Sequence, residues 1–300
     1  MNMKPLVLSV LLAPGLASAG TPINETREVD ATARIEVSNV KGAVNVSAWD
    51  RNEVAISGSL GDGAKRLAID GGRGSLSIRV EGPDKSKGSF WGSDTSMQET
   101  VLDIKVPRAA ALEIGVVSAE VAVNDTAGGN VQVDSVSGRM RLVSVQSPRL
   151  RLESVSGDID FQGRSEDASV ETVSGDVSAR GVGGRARAET VSGSMRISAG
   201  SPFKQFDANS VSGDMEVTGA LAPGGRVEIE TMSGDVRLNL PAAVSARITA
   251  ESFSGTLRTD FGTVRKPERG PGTSLDASAG SGDGEISVDS FSGDVTIRKE

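Results

Sequence analysis

The 300-residue chain carries a formal net charge of −8 and contains no histidine, no cysteine and no tyrosine. Those absences exclude Ser-His-Asp triads, thiol nucleophiles, imidazole bases and His/Cys zinc sites together. The acidic balance disfavours nucleic acid and anionic membrane surfaces as partners, and 37 glycines with 3% aromatic residues argue against a core built on large side chains.

Residues 1–19 read as a Sec-type signal peptide. Lys4 supplies the positive start, residues 6–16 form a short apolar stretch, and Ala17-Ser18-Ala19 fits the small-residue cleavage pattern. Cleavage after Ala19 would leave a mature chain beginning at Gly20, in the periplasm or the medium. The apolar stretch is short for a membrane span. No later segment is long and apolar enough, so no transmembrane span is expected after cleavage.

Residues 20–110 read as irregular N-terminal rungs and a cap. Ile35-Glu36-Val37 followed by Val40-Lys41-Gly42-Ala43-Val44 alternates as a strand, a corner and a strand. Further strand candidates at 54–56, 67–69, 76–80 and 101–106 follow with uneven spacing. Trp49 reads as core or end-cap. Phe90-Trp91 lies in a polar loop, where the aromatics could contact a partner or fold back as a lid on the solenoid, the reading favoured here.

Residues 111–300 read as regular repeats with a loop insertion near 260–284. One hexapeptide recurs eight times, centred on Gly138, Gly157, Gly175, Gly193, Gly213, Gly234, Gly255 and Gly293, at separations of 19, 18, 18, 20, 21, 21 and 38 residues. A period near 20 signals a solenoid, in which one unit stacks on the next. Around each glycine the apolar residues alternate: Val131, Val133, Met140 and Leu142 in one copy, Leu150, Leu152, Ile159 and Phe161 in the next. Each unit therefore reads as strand, Ser-Gly corner, strand and a longer return turn. Stacking turns every position of the repeat into a column at about 4.8 Å spacing. The apolar column Val136, Val155, Val173, Val191, Val211, Met232, Phe253 and Phe291 is expected to be buried at the corner, in a core that widens toward the C-terminal end. The serine column, Ser137 to Ser292, is invariant among the copies and suits bonding to backbone groups freed by the bend.

The reiterated Val-Ser-Gly-Asp-Val core, the strand Val101-Leu102-Asp103-Ile104-Lys105-Val106-Pro107 leading to Leu112-Glu113-Ile114, and the ending from Gly282 to Ile297 resemble the bacterial putative-adhesin family of β-strand repeat proteins. The resemblance covers most of the mature chain. It implies a secreted or envelope-associated β-solenoid, and it carries no catalytic motif.

A serine present eight times beside no histidine is a structural ladder rather than a nucleophile. The acidic columns bear more on function. One precedes the motif (Asp134, Glu153, Glu171, Glu189, Asn209, Glu230, Glu251, Asp289); the other follows the glycine (Asp158, Asp176, Asp214, Asp235, Asp294). Neighbouring carboxylates at this spacing repel by roughly 1 kcal/mol in water. Arg141, Arg196, Arg237 and Arg258 are expected to balance part of that charge. Glu153, Glu171, Glu189, Asp158 and Asp176 are the candidate calcium ligands, although no calcium-repeat signature is present and no metal, cofactor or catalytic residue is expected. The fold expected is all-β: a single-stranded parallel β-solenoid, right-handed, with about 18–21 residues per rung. The function expected is a non-catalytic, adhesin-like scaffold or interaction module with an envelope, cell-surface or polysaccharide partner. A polysaccharide-binding or polysaccharide-cleaving protein is the alternative, since paired carboxylates permit glycoside hydrolysis.

Overall fold

A computed structural model describes residues 20–82, 97–268 and 270–300. The expected signal peptide at 1–19 and the Phe90-Trp91 pair lie outside them. The described residues form strands and no helix.

Period-two alternation produces this directly. Along Val131–Ser137 and Met140–Ser147 the apolar side chains Val131, Val133, Met140 and Leu142 are buried, while Gln132 and Arg141 between them face outward. The backbone groups of one rung are satisfied by the next. Leu150–Ser156 pairs in parallel with Val131–Ser137 on one side and with the end of Ile159–Ser174 on the other. Glu153 sits beside Glu171, Glu171 beside Glu189, and Ser174 beside Ser192. The repeat columns are therefore real columns in space.

The corner is set by backbone contact. A Cβ built at Gly157 would lie 2.2 Å from the carbonyl oxygen of Gly138, and one at Gly175 would lie 2.4 Å from that of Gly157. The same clash recurs through Gly193, Gly213 and Gly234, so any side chain would push the rungs apart. Gly138, Gly193, Gly213 and Gly234 also hold positive φ, a region that favours glycine. The return turns differ from expectation. In the middle of the stack the strand runs through the return, as in Ile159–Ser174 and Val177–Ser192, with register shifts marking bulges rather than loops.

Inside, large and small residues alternate from rung to rung. One column reads Leu142, Phe161, Ala179 and Ile197; another reads Ala168, Ala186, Phe206 and Val227. All eight are buried. Phe203 and Phe206 stack with ring centroids 4.7 Å apart. Bulk on one rung fills the space left by alanine on the next.

Both ends depart from sequential stacking. The rung of Gly284–Ser292 and Val295–Lys299 does not lie outermost. It pairs in parallel with Leu221–Ser233 and Val236–Leu240 on one side, and with Ala246–Ser252 and Leu257–Thr259 on the other. The spatial order is thus Gly213, Gly234, Gly293, Gly255. The 38-residue gap before Gly293 holds the strand Thr273–Ala279, which pairs antiparallel on Ala246–Ser252. The first full rung, Arg34–Trp49, is enclosed in the same way. Ala111–Asn124 lies on one side, with Ser75–Glu81 and Thr100–Pro107 on the other. Antiparallel strands Arg66–Gly72, Glu53–Leu60 and Thr21–Glu28 then finish that end. Antiparallel caps at each end keep the parallel rungs from offering a matching edge to another chain.

The order of rungs is directly testable, because the chain has no cysteine of its own. Glu228 is the register partner of Ser287, and Ser287 that of Thr249. Cysteines at 228 and 287 should form a disulfide on mild oxidation, since adjacent strands fall within its reach. Cysteines at 228 and 249 should stay reduced, being two rungs apart. The opposite result would show that the rungs stack in chain order.

Candidate functional site

The apolar column at the corner is not buried. Val173 is 47% exposed, Phe253 51% and Phe291 59%. Val40, Val117, Val136, Val155, Val191, Val211 and Met232 are exposed with them, and these ten are the exposed large apolar side chains among the described residues. The physical reason is the phase of alternation. Val133 and Ser135 point inward, which turns Asp134 and Val136 outward just before the corner. Hydroxyl residues take the inward place: Ser135, Ser154, Thr172, Thr190, Ser210, Thr231, Ser252 and Ser290 are buried. Hydrophobicity alone pointed to the wrong column; counting alternate residues back from the core positions would have found the right one.

In space the file runs Val40, Val117, Val136, Val155, Val173, Val191, Val211, Met232, Phe291, Phe253. At the ordinary strand spacing its ten members extend roughly 43 Å. Because the Gly293 rung lies beside the Gly255 rung, Phe291 and Phe253 stack, with centroids 5.1 Å apart and planes 11° from parallel. The column does widen, but as an aromatic surface rather than a core.

A groove of about 1620 Å³ follows this file. Its lining repeats from rung to rung: an acidic residue, a Ser or Thr, and the apolar residue, as in Glu171, Thr172 and Val173. Arg265, Lys266, Pro267, Pro271 and Gly272 line its C-terminal end.

Five carboxylates of the acidic wall are engaged along their own strands. Arg151 pairs with Glu153 and Arg187 with Glu189. Gln132 Nε2 donates to Asp134 at 2.9 Å, Ser169 Oγ to Glu171 at 3.0 Å, and Ser287 Oγ to Asp289 at 3.1 Å. Each partner lies two residues upstream, so these carboxylates lean away from the apolar file. The expected arginine column balances part of the second acidic column, Arg237 pairing with Asp235 and Arg258 with Asp294, while Arg196 pairs with Glu216.

The second acidic column is a backbone clamp. Asp158 Oδ1 accepts the N–H of Asp176 at 3.2 Å, and Asp176 Oδ1 that of Ser194 at 2.9 Å. Asp214 accepts from Asp235, Asp235 from Asp294, and Asp294 from Thr256. Thr256 can depart from the pattern because its rung is the outermost one and has no further N–H to clamp. Thus the candidate calcium ligands Glu153, Glu171, Glu189, Asp158 and Asp176 all hold structural partners. Among the described residues no cluster of three or more carboxylates is placed to hold a metal ion.

The invariant serines lie at the surface of the corner, and Ser137 and Ser156 donate to the carbonyls of Val117 and Val136 in the preceding rung. Trp49 is half-buried at the end of its strand. Its Nε1 donates to the Glu53 carbonyl at 2.8 Å, and Arg51 lies over the ring. Phe90 and Trp91, the possible partner contacts, fall outside the described residues.

Two outcomes follow from this surface. Val173→Thr should shift stability by no more than about 0.5 kcal/mol, while the inward Val170→Asp should cost several kcal/mol; urea unfolding compares them. A large loss in Val173→Thr would return the column to the core. The Thr256 N–H and the Arg258 guanidinium hold the Asp294 carboxyl below its ordinary range. A depressed folded pKa gives stability that is present above the ordinary carboxylate pKa and lost as pH falls through the lower folded value. Asp294→Asn should therefore lower the melting temperature near neutral pH and lower it less in strong acid. An equal loss at both would rule out a role for the charge.

No curated protein sequence matches the chain. Solved bacterial structures do resemble it. One from Parabacteroides distasonis ATCC 8503, named a putative lipid binding protein, is 11% identical over 93% of this chain and 97% of its own, with a TM-score of 0.50. One from Bacteroides fragilis NCTC 9343, named a putative adhesin, is 14% identical over the same shares, with a TM-score of 0.41. One from Clostridium sporogenes ATCC 15579, named a putative cell adhesion protein, is 10% identical over 93% of this chain and all of its own, at 0.23. Likeness at such identity speaks to fold alone. The sequence pattern goes further, because residues 32–298 match one family as a whole. The chain belongs to the Toastrack DUF4097 family.

Proposed function

We propose that the protein is a non-catalytic interaction module of the envelope or cell exterior, and that the exposed apolar ladder is its contact surface. One observation carries this reading: the ten exposed large apolar side chains among the described residues line up in a single file. An exposed patch of that length in water marks an interaction site. The repeated carboxylates and serines favour the non-catalytic reading, because each of those traced above has structural employment. We read the stack as a right-handed β-solenoid, the hand preferred for parallel crossovers, delivered by the leader at 1–19. Structural neighbours named as adhesins and as a lipid-binding protein are compatible with such a role. No helix among the described residues is long and apolar enough to cross a membrane.

The stacked Phe253–Phe291 pair supports a second reading, since exposed aromatic faces can carry sugar rings. A panel of envelope and plant-type polysaccharides separates the two: saturable binding lost in Phe253→Ser/Phe291→Ser would favour it, and turnover would make the protein an enzyme.

The leading reading is tested with isolated envelopes of the producing cell. Val155→Ser/Val173→Ser/Val191→Ser should keep the strand spectrum and melting temperature while reducing envelope binding by about tenfold or more, as expected for buried contacts at the centre of an interface. Unchanged binding would remove the ladder from the function.

A further inference from the structure

We propose that the ladder groove binds a single linear hydrocarbon chain whose anionic headgroup rests on Arg265 and Lys266. The inference rests on the reading of the ladder as a binding surface, and it names the occupant.

The width of the file comes first. Each rung contributes one apolar side chain, flanked along the strand by an acidic residue and a serine. An amphipathic helix presents an apolar stripe at least about 100° wide and seeks a broad groove to match. A file one side chain wide suits an alkyl chain lying along the stack. The side chains also grow toward one end, from valine through Met232 to Phe291 and Phe253, so contact area is greatest there.

The walls agree with this. Glu153 and Glu189 are drawn to Arg151 and Arg187, and Asp134, Glu171 and Asp289 to Gln132, Ser169 and Ser287. With their heads turned upstream, these residues offer methylene stems to the groove and keep their charge at its margin.

Polarity comes from the C-terminal end. Arg265 and Lys266 line the groove there, beyond the phenylalanines, and neither has an ion-pair partner among the described residues. Arg265 is held in place by its backbone: its N–H donates to the Ser274 carbonyl at 2.8 Å and its carbonyl accepts the Ser274 N–H at 3.0 Å. Ser274 belongs to the strand that caps Ala246–Ser252. Pro267, Pro271 and Gly272 close that end. At the opposite end the lining is Ser38, Gly115, Val116 and Val117, which carries no charge. An anion at one end and hydrocarbon along the rest is the complement of this arrangement.

The test is titration of the purified protein with palmitate below its aggregation concentration, beside octanoate, methyl palmitate and hexadecyltrimethylammonium. Saturable palmitate binding is expected, with octanoate weaker by more than about a hundredfold, because each methylene withdrawn from the groove weakens binding about two- to fourfold. Arg265→Ala/Lys266→Ala should weaken palmitate about tenfold, the scale of a lost charge-assisted contact, and leave methyl palmitate unchanged. Val173→Ser/Val191→Ser should weaken both. Melting temperatures of the variants should equal that of the parent. Indifference of palmitate to the cation variant, or tighter binding of the cationic amphiphile, would overturn the proposal in favour of an occupant drawn by the acidic wall. If the parent does not bind palmitate while the valine variants still lose envelope binding, this occupant is wrong and the contact surface stands. If envelope binding is also unaffected, both fall.

Discussion

Close backbone contact at the corner is the constraint on which the rest of this structure depends. The rungs meet where a Cβ would fall about 2 Å from a neighbouring carbonyl oxygen, so only glycine lets them reach strand spacing. The two residues that flank the glycine make use of that approach. The aspartate after it can reach the N–H of the next rung, as Asp176 reaches Ser194. The serine before it can reach the carbonyl of the preceding rung, as Ser156 reaches Val136. A Ser-Gly-Asp unit is thus a stacking device with a partner in each direction. Its repetition reflects a repeated mechanical need, which is why neither serine nor aspartate reads as chemistry.

The outer surface follows from the same corner. Strand alternation enters the bend with the hydroxyl column inward and the apolar column outward, an arrangement opposite to what residue type would choose. The inward hydroxyls sit within reach of the corner backbone: Ser210 donates to the carbonyl of Gly213, and Ser290 and Ser252 to that of Gly293. Exposing the valines forgoes about 1.5–3 kcal/mol of burial for each side chain. An inversion that forgoes apolar burial, repeated along the whole stack, is the kind of local inconsistency expected at a working surface rather than at a structural one.

Much of this was legible from the chain. The eight glycines, the period near 20 residues and the alternation of Val131, Val133, Met140 and Leu142 set the strands, the corners and the column register, because each depends on local geometry that residue type reports. The apolar ladder was misread for an equally clear reason: Val136 belongs by type inside, and only its parity relative to Val133 places it outside. The arginine column accounts for only part of the acidic charge: Arg237 and Arg258 meet Asp235 and Asp294 of the second column, whereas Glu153 and Glu189 of the first are met by Arg151 and Arg187 two residues upstream on their own strands. The interleaving of the end rungs left no trace in the motif. The Gly255 and Gly293 copies carry the same signals as the others, and a strand's neighbours are chosen by the whole stack.

That interleaving creates a contest during folding. When residues 246–257 emerge, the Gly234 rung ahead of them is open, and its backbone and columns would accept the Gly255 copy as readily as the Gly293 copy. The native arrangement needs that slot left vacant until residues 284–299 arrive, closing contacts such as Asp235 to Asp294 across 59 residues. Loop closure over that distance is slow to find and costs entropy before any contact repays it. A near-copy offered earlier in the chain is therefore a kinetic competitor with almost the same local energy, the frustration that repeat sequences carry. The antiparallel pairing of Thr273–Ala279 covers the outer edge of Ala246–Ser252, so the last rung can enter only on the inner edge, between that copy and the Gly234 rung, which is the edge the competing arrangement would use.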